Sequence, residues 1–193
     1  MRTRWLVLAG AILALQAPAL DFIALKFSSQ GYLPGPLSVS SMMMWNYTLD
    51  PHFVGYYATA LFPLLMAFRR LRENRWNQLA SVLLFFLLAI FWMVTGSVWQ
   101  KGNGASSYLC AAVATAGLLN VLGQLCARLP LRVAAGTSRL WLGVLLFGVT
   151  LTGWVAWDFN PWLLGAYPGL AGGALVAFGE WRGLFEPAPP ESR

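Results

Sequence analysis

The stretch WNQLASVLLFFLLAIFWMVTGSVW, residues 76–99, decides the fold of this chain. Its 24 residues include no charged residue and no proline. As an α-helix it would be roughly 36 Å long, which is enough to cross the hydrocarbon core of a bilayer with some tilt. A tryptophan stands at each end, where its amphipathic ring favours the membrane–water interface. The stretch therefore predicts a membrane-spanning helix.

The composition of the whole chain agrees with a lipid surrounding. Apolar residues make up 58% of the 193 residues and charged residues only 10%, whereas a soluble domain carries about 25% charged residues. We therefore expect a multi-pass protein of the bacterial inner (plasma) membrane. Residues 1–181 form one transmembrane domain in this interpretation, and residues 182–193 form a short polar, proline-rich cytoplasmic tail.

Five further apolar segments predict five further spans, at residues 5–23, 53–68, 108–125, 140–157 and 162–181. The first begins like a signal peptide, but Pro18 lies inside the cleavage-like Ala-Pro-Ala box and apolar residues continue past it, so we expect it to stay uncleaved. Residues 26–51 form the longest connection. The predicted fold is an all-α membrane bundle of six transmembrane helices with one longer outer loop.

The basic residues predict the orientation of this bundle. With six spans, all eleven arginines fall on one side of the membrane, and Lys26 and Lys101 fall on the other. The positive-inside rule then places both termini in the cytoplasm. We expect the cytoplasmic arginines to contact anionic lipid headgroups. They are not interleaved with aromatic residues as in a nucleic-acid surface, so no nucleic-acid partner is predicted.

Catalytic and cofactor motifs are missing from the sequence. It holds no P-loop, no G-x-S-x-G, no H-E-x-x-H and no C-x-x-C, and its one histidine is His52. One histidine cannot ligate a haem on both faces or build a multi-histidine metal site, which argues against both cofactors. No metal ligands are predicted, and any other cofactor is left open.

Polar and aromatic residues gather at the predicted outer ends of the spans. They suggest a shallow pocket for a small apolar or amphipathic molecule. The candidate ligand-binding residues are Tyr56, Trp99, Trp154, Trp157 and Asn160. The alternative is an aromatic belt at the membrane interface, which is the usual position of Trp and Tyr.

The same outer region allows a second interpretation, a membrane enzyme acting on a lipid or isoprenoid at the outer leaflet. Asp50, His52 and Asp158 would supply its acid and base groups. No nucleophile stands beside His52 in the sequence, so these three residues are weak catalytic candidates.

Two sets of residues inside the spans predict helix packing or a partner interface. Gly165, Gly169 and Gly173 recur every four residues in the sixth span, which permits close approach of another helix. Asn120 and Gln124 place amides on one face of the fourth span. These amides would either form hydrogen bonds to another helix or line the path of a small solute.

The leading hypothesis is a non-catalytic membrane protein. It would be either a subunit of a larger complex, with other membrane proteins as partners, or a binder of a small molecule from the outer side. The alternatives are the lipid enzyme and a component of a small-solute transporter.

Overall fold

The computed structural model describes residues 2–29, 51–96, 104–156 and 164–185. Over these ranges the chain is entirely helical, apart from short turns. Its seven helices are α1 (Arg2–Ser29), α2 (Pro51–Met66), α3 (Arg69–Glu73), α4 (Arg75–Gly96), α5 (Gly104–Cys126), α6 (Leu131–Ala156) and α7 (Ala166–Leu184). The all-α fold is thus confirmed for the part of the chain described.

Four of the helices are long and apolar enough to cross a membrane. The segments are Thr3–Leu20 in α1, Arg75–Val94 in α4, Tyr108–Cys126 in α5 and Leu131–Val155 in α6. α2 adds a shorter apolar segment, Val54–Met66. The structure therefore agrees with an integral membrane bundle.

Helix α6 lies at the centre of the bundle. It packs against α2, α4, α5 and α7, and 61% of its apolar segment is buried, against 22–39% in the other three long helices. Leu142, Leu145 and Leu146 are fully buried on it. A helix buried on so much of its circumference can be apolar nearly all round, and this one largely is.

The start of α6 differs from the prediction. The fifth predicted span starts at residue 140, but the helix already begins at Leu131, directly after Pro130. Ala134, Ala135 and the four residues that follow are all buried, because this first part of the helix packs against its neighbours. No proline interrupts it, so tertiary packing extends the helix through a segment that is polar in sequence.

Helix α7 runs antiparallel to α6 at very short distance. A Cβ added to Gly143 would lie 2.5 Å from the backbone nitrogen of Ala177, and one added to Gly173 would lie 2.5 Å from that of Phe147. Backbones come this close only where glycine leaves room.

The other side of α7 packs equally closely against α1. A Cβ on Gly172 would lie 2.5 Å from the Gly10 carbonyl oxygen, while Gly179, near the end of α7, approaches Thr3, near the start of α1. The start of α1, the start of α6 and the end of α7 therefore lie at one end of the bundle, which we call the arginine end.

Candidate functional site

A buried glutamate paired with two arginines lies at the arginine end. The Glu180 side chain is fully buried on α7. Its Oε2 accepts hydrogen bonds from Arg72 Nη2 on α3 at 2.7 Å and from Arg139 Nε on α6 at 3.2 Å. We call these three residues the Arg–Glu–Arg cluster. A single carboxylate oxygen thus connects three helices.

The surroundings hold both arginines in place. Arg139 is 3% exposed, and its Nη1 donates to Ser81 Oγ on α4 at 3.4 Å. Arg72 is 17% exposed, and its guanidinium lies over Gly183, where an added Cβ would meet Nη2 at 3.0 Å. The cluster therefore joins α3, α4, α6 and α7.

The charges of the cluster do not cancel, because one carboxylate faces two guanidinium groups. Glu180 Oε1 is buried and has no hydrogen-bond partner among the described residues. Paired buried charges of this kind contribute little net stability, but losing one partner leaves an uncompensated charge in an apolar interior. The cluster is therefore sensitive to any single substitution.

The sequence does not predict this cluster. Arg139 lies before the fifth predicted span, among the arginines expected to contact lipid headgroups, whereas its buried guanidinium is paired with protein. The partners of Glu180 are 41 and 108 positions away, so no local pattern links them. The available signal was Glu180 itself, the one charged residue of the predicted span 162–181, since a buried carboxylate needs a partner.

A second polar group lies nearer the opposite end of the bundle. We call it the hydroxyl cluster, and its members are Tyr56, Thr59, Trp92 and Thr150. Thr150 Oγ1 donates to its own helix at the Leu146 carbonyl, so the contact of 3.4 Å between the Tyr56 and Thr150 hydroxyls has Tyr56 as donor. Beside it, Trp92 Nε1 donates to Thr59 Oγ1 at 3.2 Å. These bonds connect α2 to α6 and to α4.

The predicted ligand-binding residues fall into three groups. Tyr56 is buried in the hydroxyl cluster, with Gly169 of α7 packed against its hydroxyl. Trp154 contacts Tyr167 edge to face, with ring centroids 5.6 Å apart. Trp99, Trp157 and Asn160 lie outside the described residues.

The three catalytic candidates lie at or beyond the edges of the described ranges. Asp50 and Asp158 lie outside the described residues. The backbone of His52 belongs to the first turn of α2, but its side chain is outside the described part. Within the described ranges, no three His, Cys, Asp or Glu residues are grouped as a metal site would need.

The predicted packing glycines of α7 lie inside the bundle. Gly165 is buried directly before the helix, and Gly169 and Gly173 face α6. A Cβ on Gly169 would lie 2.7 Å from Thr150 Cγ2. Because this chain already covers them, these glycines are not exposed to another subunit.

The predicted amides of α5 have a different position. Asn120 is exposed, Gln124 is partly buried, and Gln124 Nε2 donates to Asn120 Oδ1 at 3.3 Å. This bond lies within one helix and reaches no described neighbour. Gly117, one turn earlier, instead packs against Phe85 and Trp141.

No protein-family model, curated protein or solved structure matches this chain.

Proposed function

We propose that this chain is a six-span membrane protein with both termini in the cytoplasm, and that it acts as a non-catalytic subunit of a membrane assembly. The antiparallel packing of α7 against α1 and α6 supports six crossings, because α7 then returns the chain to the side where it began. The arginine end would face the cytoplasm, as the positive-inside rule requires.

One observation carries the assembly proposal, the exposed amide of Asn120 within the apolar segment Tyr108–Cys126. An amide in hydrocarbon is costly unless another group takes its hydrogen bonds, and helices in membranes commonly supply such groups to one another. Asn120 meets only Gln124 of its own helix among the described residues. A partner helix on this side would supply the remaining hydrogen bonds of the Asn120 amide.

The surroundings of Asn120 suit a closely packed partner. We define the α5 face as the exposed residues Ala112, Ala116, Leu119, Asn120 and Gly123. Among the described residues, a Cβ added to Gly123 would meet nothing within 4 Å outside its own helix backbone. Small side chains around one leucine allow a second backbone to approach, and only 22% of this apolar segment is buried within the chain.

The test is the mass of the protein in a mild detergent after gentle extraction from its own membrane. We expect the 21.2 kDa chain to elute in a larger assembly, and Gly123→Leu to release it. Gly153→Leu on α6 is the matched control, since a Cβ there also meets nothing within 4 Å in the part of the chain that the structure describes. A wild-type chain that elutes alone, with lipid and detergent only, would contradict the proposal.

A second candidate function is binding of a small apolar or amphipathic molecule from the outer side. It is supported by Trp154 and Tyr167, whose rings meet edge to face where α6 ends and α7 begins. Mass spectrometry of small molecules extracted with the protein tests it. A bound compound retained by wild type and lost in Trp154→Ala would support this function, and no difference between the two would remove it.

A further inference from the structure

We infer that the partner on the α5 face is a second copy of this chain, held by hydrogen bonds between the two Asn120–Gln124 amide pairs. The inference rests on the proposed assembly function and names its partner. It starts from the hydrogen-bonding capacity that the amide pair retains.

The amide pair uses only part of its hydrogen-bonding capacity. Each side-chain amide has two N–H donors and an oxygen acceptor with two lone pairs. The described chain gives the pair one bond, from Gln124 Nε2 to Asn120 Oδ1, so both N–H donors of Asn120 and the second lone pair of its oxygen stay open on the exposed side of α5. Donors and an acceptor therefore remain on the same small patch, which can bond to an identical patch.

Membrane insertion places two identical patches at the same depth. Copies of one chain enter the bilayer in the same orientation, so a twofold axis along the membrane normal aligns two α5 helices in parallel. Each residue near that axis then faces its own copy, as in any isologous interface. The amides meet without any requirement on a second sequence, whereas a different partner would need a polar group at that same depth.

The α5 face also lacks any feature that would repel its copy. All five residues are uncharged, so two faces approach without charge repulsion. Ala112, Ala116 and Gly123 leave space on the helix surface, and Leu119 projects among them. A knob among small residues on each copy fits the same arrangement on the other.

Cross-linking in the native membrane tests the inference. A single cysteine is introduced at Ala116, on the α5 face, or at Leu83, which is 55% exposed on α4 and serves as control, after both native cysteines are replaced by alanine. We expect a short bis-thiol cross-linker to join Ala116→Cys chains into a dimer and to leave Leu83→Cys chains single.

Affinity provides the second measurement. Two differently tagged copies expressed together should co-purify, and Asn120→Leu should weaken their association roughly 3- to 30-fold, the range of one or two hydrogen bonds between membrane helices. The thermal melting of Asn120→Leu in detergent checks that the variant remains folded.

The outcomes separate the inference from the function on which it rests. Cross-linking at position 116 together with co-purification of the two tags supports a second copy. An assembly that contains another protein, with no pairing of tags, overturns the second copy and leaves the subunit function standing. A monomer in every experiment overturns both. Cross-linking at position 83 alone overturns the α5 face as the contact.

Discussion

At the scale of single residues, the most consequential feature is the carboxylate of Glu180 held between two guanidinium groups. Removing three charges from water is expensive, and their mutual attraction roughly balances that cost, so the cluster is not by itself a strong source of stability. Its geometry nevertheless links α3, α6 and α7 at one point, because Glu180 Oε2 accepts a hydrogen bond from each arginine.

The first prediction concerns the loss of one member of this cluster. Glu180→Ala should lower the free energy of unfolding by about 3–5 kcal/mol, since it leaves two buried or half-buried arginines without their counter-ion. Reversible unfolding in mixed micelles of mild and denaturing detergent measures the change.

Two further variants separate charge from packing. The triple change Arg72→Met, Arg139→Met and Glu180→Leu should cost less than Glu180→Ala alone, because it removes all three charges together. Arg132→Met, at an exposed position of α6, should lie within about 0.5 kcal/mol of wild type. A triple variant less stable than Glu180→Ala would contradict this account of the cluster.

Residue-scale features were only partly predictable from the sequence. Tyr56 was identified as a functional candidate from its position among outer polar residues, but its bond to Thr150 joins residues 94 positions apart. The sequence shows that a polar group lies in an apolar segment and must be satisfied. It does not show which of several helices satisfies it, because that depends on the rotation of each helix about its own axis.

At the scale of helices, α7 is held by glycines on two sides. Gly173 and Gly143 bring it against α6, while Gly172 brings it against α1. The four-residue spacing of glycines predicted close approach of another helix, and the neighbouring Gly172 serves the second partner. Whether a glycine stripe packs within a chain or between chains is not encoded in its spacing, since both use the same backbone contact.

A substitution at this double contact gives the second prediction. Gly172→Ala should destabilise the bundle by about 1–3 kcal/mol, because its Cβ would lie 2.5 Å from the Gly10 carbonyl oxygen and 2.6 Å from the Ala14 nitrogen, both backbone atoms that cannot turn aside. Thermal unfolding in detergent measures the loss. Gly153→Ala, whose Cβ would meet nothing within 4 Å among the described residues, is the matched control. An equal fall in melting temperature for both variants would refute the contact.

The third prediction concerns the end of α5, where Arg128 adopts a left-handed backbone conformation with φ of 54°. Its N–H donates to the Leu125 carbonyl and the next N–H donates to the Gln124 carbonyl, which together form a Schellman motif. Glycine adopts this conformation without the steric cost of a Cβ.

Arg128→Gly should therefore raise the free energy of unfolding by about 1 kcal/mol. The same detergent unfolding experiment measures it, with Arg128→Ala as the control, because alanine removes the charge and keeps the Cβ. If the alanine variant gained as much stability as the glycine variant, the gain would come from charge and not from the backbone.

At the scale of the whole molecule, helix length and hydropathy identify four spans among the described residues, and the six spans that we propose would add α2 and α7. α2 is shorter than the four long helices, and α7 carries Glu180 and Arg182 near its end. Both helices lie against the central α6. Thr150 of α6 meets Tyr56 of α2, and Gly143 of α6 packs against α7. The sequence predicted a membrane protein well, because composition alone indicates whether a chain is surrounded by lipid or by water. The number of crossings depends on contacts between distant segments, which composition does not show.

Cysteine labelling on both sides of two helices tests the six-span topology, the last prediction. In a chain without its native cysteines, single cysteines replace Glu73 and Gly102, which flank α4, and Asn160 and Ser192, which flank α7. A thiol reagent that cannot cross the membrane should label positions 102 and 160 in intact cells, and positions 73 and 192 only after permeabilisation. The arginine end would then be cytoplasmic, with its charges on the side that the positive-inside rule requires. Labelling of position 192 from outside, together with position 160, would mean that α7 packs on the bundle without crossing. The opposite labelling pattern at all four positions would agree with six spans but would place both termini outside the cytoplasm.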